Sequence, residues 1–331
     1  MRPTSPKEIL RQAKSSAFLV TDLINIRYLT GLSLSAGVVL VTPRRTILCV
    51  DSRYRFRADR DAAKGIVVRD MGDLGRFLAD QKECGIEGEQ VTVARFSNWK
   101  KKFPNTKFVQ RVGVIQEFRR QKSDEELRAL RRANRITHEI LRRVPSALRS
   151  QTTEEKLAKQ IQIWALELGA DGMSFEPIVA FGTHTSSPHH SPTSRSLRKG
   201  HLVQVDIGAM YRGYCADASR VFFTVPPTRL QKSVYDTLLQ AQEKAIRAAK
   251  AGASTQQLDR IAREVLRKKG YDHAFTHSLG HGVGLEIHEG VSLSSRAPDQ
   301  KLLKNEVITV EPGVYFDGKF GMRVEDMVFV R

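Results

Sequence analysis

In VQVDIGAMYRGYCADASRV, residues 203–221, Val203, Val205 and Ile207 alternate with Gln204, Asp206 and Gly208, the period-two pattern of a strand with one buried face. A turn centred on Tyr211 and Arg212 sets Asp206 opposite Asp217 across an antiparallel hairpin. EVITVEPGVYFDGKFGMRVEDMVFV, residues 306–330, repeats the arrangement, because a turn at Gly318 within FDGK sets Glu311 opposite Glu325. Opposed side chains start roughly 4.5 to 5.5 Å apart at their Cβ atoms, and two carboxylates that close repel unless a cation or a shared proton separates them. One such pair is ordinarily an exposed accident. Two pairs, each in apolar strands beside glycines, point to a common buried cation site shared by both hairpins.

Four carboxylates need more positive charge than one ion supplies, and an oxygen-rich pocket suits hard or borderline divalent metals. Two ions about 3.5 to 4 Å apart, bridged by carboxylates, would neutralise it. A histidine completes such a set. THSLGHGVGLEIHEG, residues 276–290, offers His277, His281 and His288, and spacing alone does not choose among them.

At 331 residues and 40% hydrophobic content, the chain can bury two ordinary cores. The start lacks the apolar segment of a signal peptide, and no run of about 18 apolar residues occurs, so a cytoplasmic protein without a membrane partner is expected. Cys49, Cys84 and Cys215 are too few and scattered for a disulfide framework and read as packed thiols. The net charge is +18, which would attract polyanions. Yet the basic stretch 119–143 carries Leu127, Leu130, Ile136, Ile140, Leu141 and Val144 at helical spacing, so its arginines read as the solvated face of an amphipathic helix. Without interleaved aromatics or a reading module, a nucleic-acid partner is disfavoured.

Strand-like runs at 17–22, 35–43 and 45–51, with helical stretches at 52–63 and 73–82, give an α/β domain over 1–117. Residues 118–331 form a second, α+β domain that holds every candidate site. Its first helix opens on a capping box, Ser123 with Glu126, and Thr152 with Glu155 repeats the pattern.

The blocks SSPHHSPT, VDIGAMYRGYCADASRVF, HSLGHGVGLEIHEG, VEPGVY and GMRVED together resemble the metal-dependent Xaa-Pro dipeptidases and Xaa-Pro aminopeptidases of the pita-bread fold, relatives of methionine aminopeptidase. FLVTDLINIRYLTGLSLSAGVVLVTPRRTILCVDSRY is similar to the creatinase-type N-terminal domain of prolidases. The resemblance implies two divalent ions, manganese or cobalt with zinc or iron as alternatives, held by Asp206, Asp217, His281, Glu311 and Glu325. It places His189 and His288 beside the substrate as catalytic groups, gives Glu311 a proton-shuttling role, and adds His277 and Arg323 as substrate-binding positions. The implied substrate is a proline-containing peptide attacked by a metal-activated water, and a homodimer is common among similar proteins. His281 and His288 lie an odd interval apart, so Gly282 and Gly284 are expected to bend the chain and bring both to one site.

The chain departs from the family pattern in three places. His190 replaces a glycine after His189, Val291 and Ser292 follow HEG where many members have Pro-Arg, and the chain ends at Arg331. The second removes a basic group that could hold a substrate's C-terminal carboxylate. His190 and His273 are read as loop residues. The competing readings are an inactive pita-bread module that binds nucleic acid or protein and a metal-free amidinohydrolase of the creatinase kind; the complete ligand set argues against both.

Overall fold

The computed structural model describes residues 5–331, which fall into two compact units that divide between Arg119 and Arg120. In the first, helices α1 (Pro6–Ala13), α2 (Leu23–Thr30), α3 (Ser52–Asp61), α4 (Leu74–Ala79), α5 (Val93–Lys102) and α6 (Val114–Arg120) connect six strands. These are β1 (Phe18–Val20), β2 (Val38–Val41), β3 (Thr46–Val50), β4 (Ile66–Asp70), β5 (Glu83–Glu87) and β6 (Lys107–Arg111). They form one mixed sheet in the order β4-β3-β2-β1-β5-β6, with the antiparallel β2–β3 hairpin where Pro43-Arg44-Arg45 predicts a turn. The sequence pattern does not announce β5, because Gly85 interrupts its apolar run. A Cβ there would come 2.8 Å from the Phe18 ring, so the missing side chain is what lets β5 pack beside β1.

The second unit opens with α7 (Asp124–Ala147) and α8 (Glu154–Glu167). The Ser123–Glu126 capping box forms as expected, whereas α8 is capped by Thr153, whose hydroxyl accepts from the Lys156 N–H; Thr152 instead donates to the Ala147 carbonyl. Buried Leu130, Ile136, Ile140, Leu141 and Val144 line one face of α7. The basic run just before it is not solvated. Arg120 pairs with Glu306 at 2.8 Å and Lys122 with Glu289 at 3.0 Å, all four buried.

Short strands β7 (Gly172–Met173) and β8 (Ile178–Phe181) precede β9 (Leu202–Ile207), β10 (Ala209–Tyr211), β11 (Tyr214–Cys215) and β12 (Ala218–Phe223). After α9 (Arg229–Ala248) and α10 (Thr255–Arg267) come β13 (Gly280–His281), β14 (Ser292–Leu293), β15 (Val307–Val310), β16 (Gly313–Phe316), β17 (Phe320–Arg323) and β18 (Asp326–Phe329). Helices α9 and α10 pack their apolar faces into a core shared with β14, β15 and β17. Among the described residues no helix is long and apolar enough to cross a membrane.

The first acidic hairpin differs from expectation by a two-residue shift in pairing. Tyr211 pairs with Tyr214 and Asp206 with Ser219, so the turn residues are Arg212 and Gly213, at φ 48° and 69°. A two-residue hairpin turn with both φ positive matches the strand twist, and Gly213 meets that demand where Tyr211 would not. Asp217 consequently lies across from Gly208, where any Cβ would come 1.8 Å from the Ala216 carbonyl oxygen. Because the shift is even, Asp206 and Asp217 keep the same face and meet diagonally. In the second hairpin Gly313 pairs with Arg323 and Val310 with Asp326, which places Glu311 across from Glu325 as expected, with Gly318 in the turn at φ 65°.

Candidate metal centre

The two hairpins and the segment after β13 deliver their polar side chains to one cavity of about 510 Å³, lined by all five expected ligands together with His189, His277, His288 and Arg323. One ligand atom each from Asp217, His281 and Glu325 lie within 4.8 Å of one another. His281 Nε2 is 3.6 Å from Asp217 Oδ2 and 3.6 Å from Glu311 Oε1. Its Nδ1 lies 3.1 Å from the Gly282 carbonyl, a partner that can only accept, so the ring carries its proton there and turns the Nε2 lone pair toward the acids. A metal-binding imidazole is oriented in just this way.

Metal-free, these acids are held in an unfavourable state. Burial, reinforced by the neighbouring carboxylates, raises the pKa of Asp217 and Glu325 well above the ordinary range, and burial pushes Glu311 to about 7. Asp206 Oδ1 and Asp217 Oδ1 are buried with no hydrogen-bond partner. Buried polar atoms are almost always satisfied, so two orphaned oxygens aimed into a shared cavity fit a cation, and the oxygen-rich, single-imidazole donor set suits a hard or borderline divalent ion.

Around the acids runs a connected polar chain. Arg323 pairs with Asp206 through Nη2, donates from Nε to Ser219 Oγ at 3.1 Å and from Nη1 to the Tyr315 hydroxyl. Tyr315 meets His277 Nε2 at 3.1 Å, and His277 Nδ1 faces the Ser278 carbonyl at 2.8 Å. The His277 ring must therefore donate from Nδ1 and accept from Tyr315. Burial, aided by the Arg323 charge, lowers the pKa of His277 to about 4, and burial with the nearby His281 does the same for His288. Ser219 donates to Glu325 Oε2 at 3.0 Å. Ser219 and Tyr315 were not singled out from the sequence; the register through Gly213 and the alternation of β16 with Glu311 were the signals that could have found them.

The His281 and His288 rings stand 4.2 Å apart, so the bend after His281 brings both to the cavity. Its cause is close approach. A Cβ on Gly282 would come 2.1 Å from the Glu289 carbonyl oxygen, and one on Gly284 would come 1.9 Å from Glu289 Oε1. Glu289 accepts from the Leu285 and Glu286 N–H groups and pairs with Lys122, which pins the loop from inside. Cys215 is a packed thiol, buried with its pKa raised to about 11. His190 is not a bare loop residue: it is mostly buried and its Nε2 lies 2.9 Å from Glu154 Oε2.

A fold of this kind around clustered carboxylates and one imidazole defines a metal-dependent hydrolase, and comparison with known proteins identifies the family. The chain belongs to metallopeptidase family M24, whose family model matches residues 128–331, and residues 4–121 match the creatinase/prolidase N-terminal domain. It is 31% identical to the Xaa-Pro dipeptidase of Pyrococcus furiosus over 310 residues, 93% of this chain and 88% of that protein. The structure of the Xaa-Pro dipeptidase from Bacillus anthracis superposes with a TM-score of 0.93 at 29% identity, over 98% of this chain and 94% of that one. That of the X-Pro aminopeptidase from Thermotoga maritima gives 0.88 at 33% identity, over 97% and 94%. The two-domain, pita-bread reading of the sequence is thereby met, the chain is a metal-dependent peptidase by family, and nothing among these relatives supports an inactive binding module.

Proposed function

We propose that the protein hydrolyses the peptide bond between an N-terminal residue and proline, with Asp206, Asp217, His281, Glu311 and Glu325 as ligands of a dinuclear centre of manganese or cobalt, zinc and iron being the alternatives the same donors accept. The observation that carries this reading is the convergence of those five side chains, two with orphaned oxygens, in one cavity. Bound divalent ions would supply an activated water and polarise the scissile carbonyl. The chain's own residues do the rest. Glu311 accepts the water's proton and passes it to the leaving nitrogen. His288, neutral because its pKa lies near 4, donates a ring N–H to the oxygen that gains charge. His189 lines the cavity beside Pro188 and orients the leaving side of the substrate. Arg323 is engaged by Asp206, Ser219 and Tyr315, so its role is to position Asp206 rather than to hold substrate.

Phe175, Ile178, Ile287 and Val291 give the cavity an apolar wall against which a proline ring, rigid and without an N–H, packs with no unmet donor. Among the described residues lining the cavity Arg323 is the sole Arg or Lys, and its donors are already paired. A dipeptide's terminal carboxylate finds no counter-charge there, so the site favours longer Xaa-Pro peptides. Incubating the metal-loaded protein with Xaa-Pro dipeptides and with Xaa-Pro peptides of three to six residues tests both points. No cleavage of either sinks the peptidase reading; cleavage of dipeptides alone sinks the length preference.

A further inference from the structure

A second group of metal-binding side chains lies outside the cavity's lining. Glu154 at the start of α8, His184 in the 3-10 turn 182–186 and His190 place one ligand atom each within 4.8 Å of one another. His184 Nδ1 is 2.9 Å from Glu154 Oε1, His190 Nε2 is 2.9 Å from Glu154 Oε2, and the rings stand 4.5 Å apart. The geometry points to a third divalent-ion site, of the zinc class, held by Glu154, His184 and His190 and separate from the dinuclear centre.

Two imidazoles and a carboxylate are the donor set of many zinc sites, with metal–nitrogen and metal–oxygen distances of about 2.0 to 2.2 Å. Legs of that length span gaps of the size that separate each histidine nitrogen from its own Glu154 oxygen, so an ion fits once the two rings move outward. Both histidines need only the tautomer that leaves the lone pair facing Glu154. The carboxylate is prepared to stay ionised and in place. Although fully buried, which by itself raises its pKa, it is held below the ordinary range by donors from Thr193, His190 and the Phe181 N–H. If an ion displaces the histidine contacts, Glu154 keeps the Phe181 N–H at 2.8 Å, the Thr193 N–H at 3.0 Å and the Thr193 hydroxyl at 2.6 Å, the outer donors that orient a ligating carboxylate.

The framework is rigid and the site is reachable. The first turn of α8 is tied to the loop after His190 by the Glu154 N–H to the Arg195 carbonyl and the Glu155 N–H to the Thr193 carbonyl, and Gly182, at φ 59°, turns the chain out of β8 toward His184. The His184 side chain is 32% exposed, which leaves an entry path and room for a water in the fourth position. An ion here would fasten the segment carrying Pro188 and His189, both of which line the neighbouring cavity, to α8.

The test uses Zn2+ and the whole protein. Crystals of the unaltered protein soaked in Zn2+ and measured on either side of the zinc absorption edge are expected to show an anomalous peak between His184 Nδ1 and His190 Nε2; peaks confined to Asp217, His281 and Glu325 overturn the proposal. In equilibrium dialysis against a zinc-buffered chelator, His184→Gln and His190→Gln should each weaken one zinc equivalent by at least about 100-fold, while Asp217→Asn keeps that equivalent. Equal zinc counts in the parent and in the His184→Gln, His190→Gln double variant also overturn it. Neither readout depends on peptidase activity.

Discussion

Arg323 and Asp206 form an ion pair inside the protein, between side chains that are 4% and 8% exposed. The same guanidinium serves Ser219 and Tyr315, so it fixes both the Asp206 carboxylate and the hydroxyl that fixes His277. Planar, multiply donating Arg is not replaced by Lys at such a position. Arg323→Lys is expected to lower kcat/KM on an Xaa-Pro peptide by about 100-fold, in the range seen when the partners of metal ligands are removed, and to weaken metal binding. An unchanged metal titration alongside unchanged kinetics would show that Asp206 needs no such support.

Asp217 sits at the centre of the electrostatic conflict, raised by burial and then by Asp206. Asp217→Asn removes a buried charge while keeping the shape, so the metal-free variant should be more stable than the parent at pH 7 and above. The metal-loaded comparison runs the other way, because a ligand that binds only the folded state raises Tm and the variant loses that gain. Melting both proteins with and without Mn2+ checks the crossing; a variant that is less stable than the parent in both states removes the claim that metal relieves the repulsion.

Gly284 faces the carboxylate of Glu289 so closely that Gly284→Ala must displace it. Glu289 and Lys122 are both buried, and the alanine should cost about 1 to 3 kcal/mol of stability, the usual penalty of overpacking, with a loss of kcat because His288 is the next residue back from Glu289. Urea unfolding and steady-state kinetics on the one variant measure both. Gly252→Ala, where a Cβ meets nothing but the backbone is at φ 84°, separates steric displacement from backbone strain: it should lower stability and leave kcat alone.

Much of the centre was legible because acids in alternating apolar strands have few benign explanations, and strand parity survives an error in the turn. Asp206 and Asp217 were expected to face one another, and they share a face even though Ser219 is the true partner. What escaped were groups whose meaning depends on chain segments far apart. Nothing near Glu154 in sequence says that His184 and His190 will meet it, and Lys122 looks like one more solvated cation until Glu289 arrives from 167 positions away. The missed strand β5 is a different failure, since Gly85 erases the pattern in order to make room for Phe18.

His277 contributes one part of the pH dependence of folding in the metal-free protein, opposite in sign to that of the raised carboxyls Asp217, Glu311 and Glu325. Burial and the Arg323 charge hold its pKa near 4 against a usual 6.5, so between those values the unfolded chain binds a proton that the folded chain refuses. The stability that His277 contributes is then fully present above pH 6.5 and is lost as pH falls toward 4, at a slope of at most about 1.4 kcal/mol per pH unit. His277→Gln has no ring to titrate, and its amide can still meet the Tyr315 hydroxyl. The variant should be less stable than the parent at pH 7, where the native ring packs against Phe275 at 5.0 Å, and the gap should narrow as pH approaches 4. Urea midpoints for the two proteins across pH 4 to 7 decide it: curves that stay parallel would mean that His277 takes up its proton in the folded state as readily as in the unfolded one.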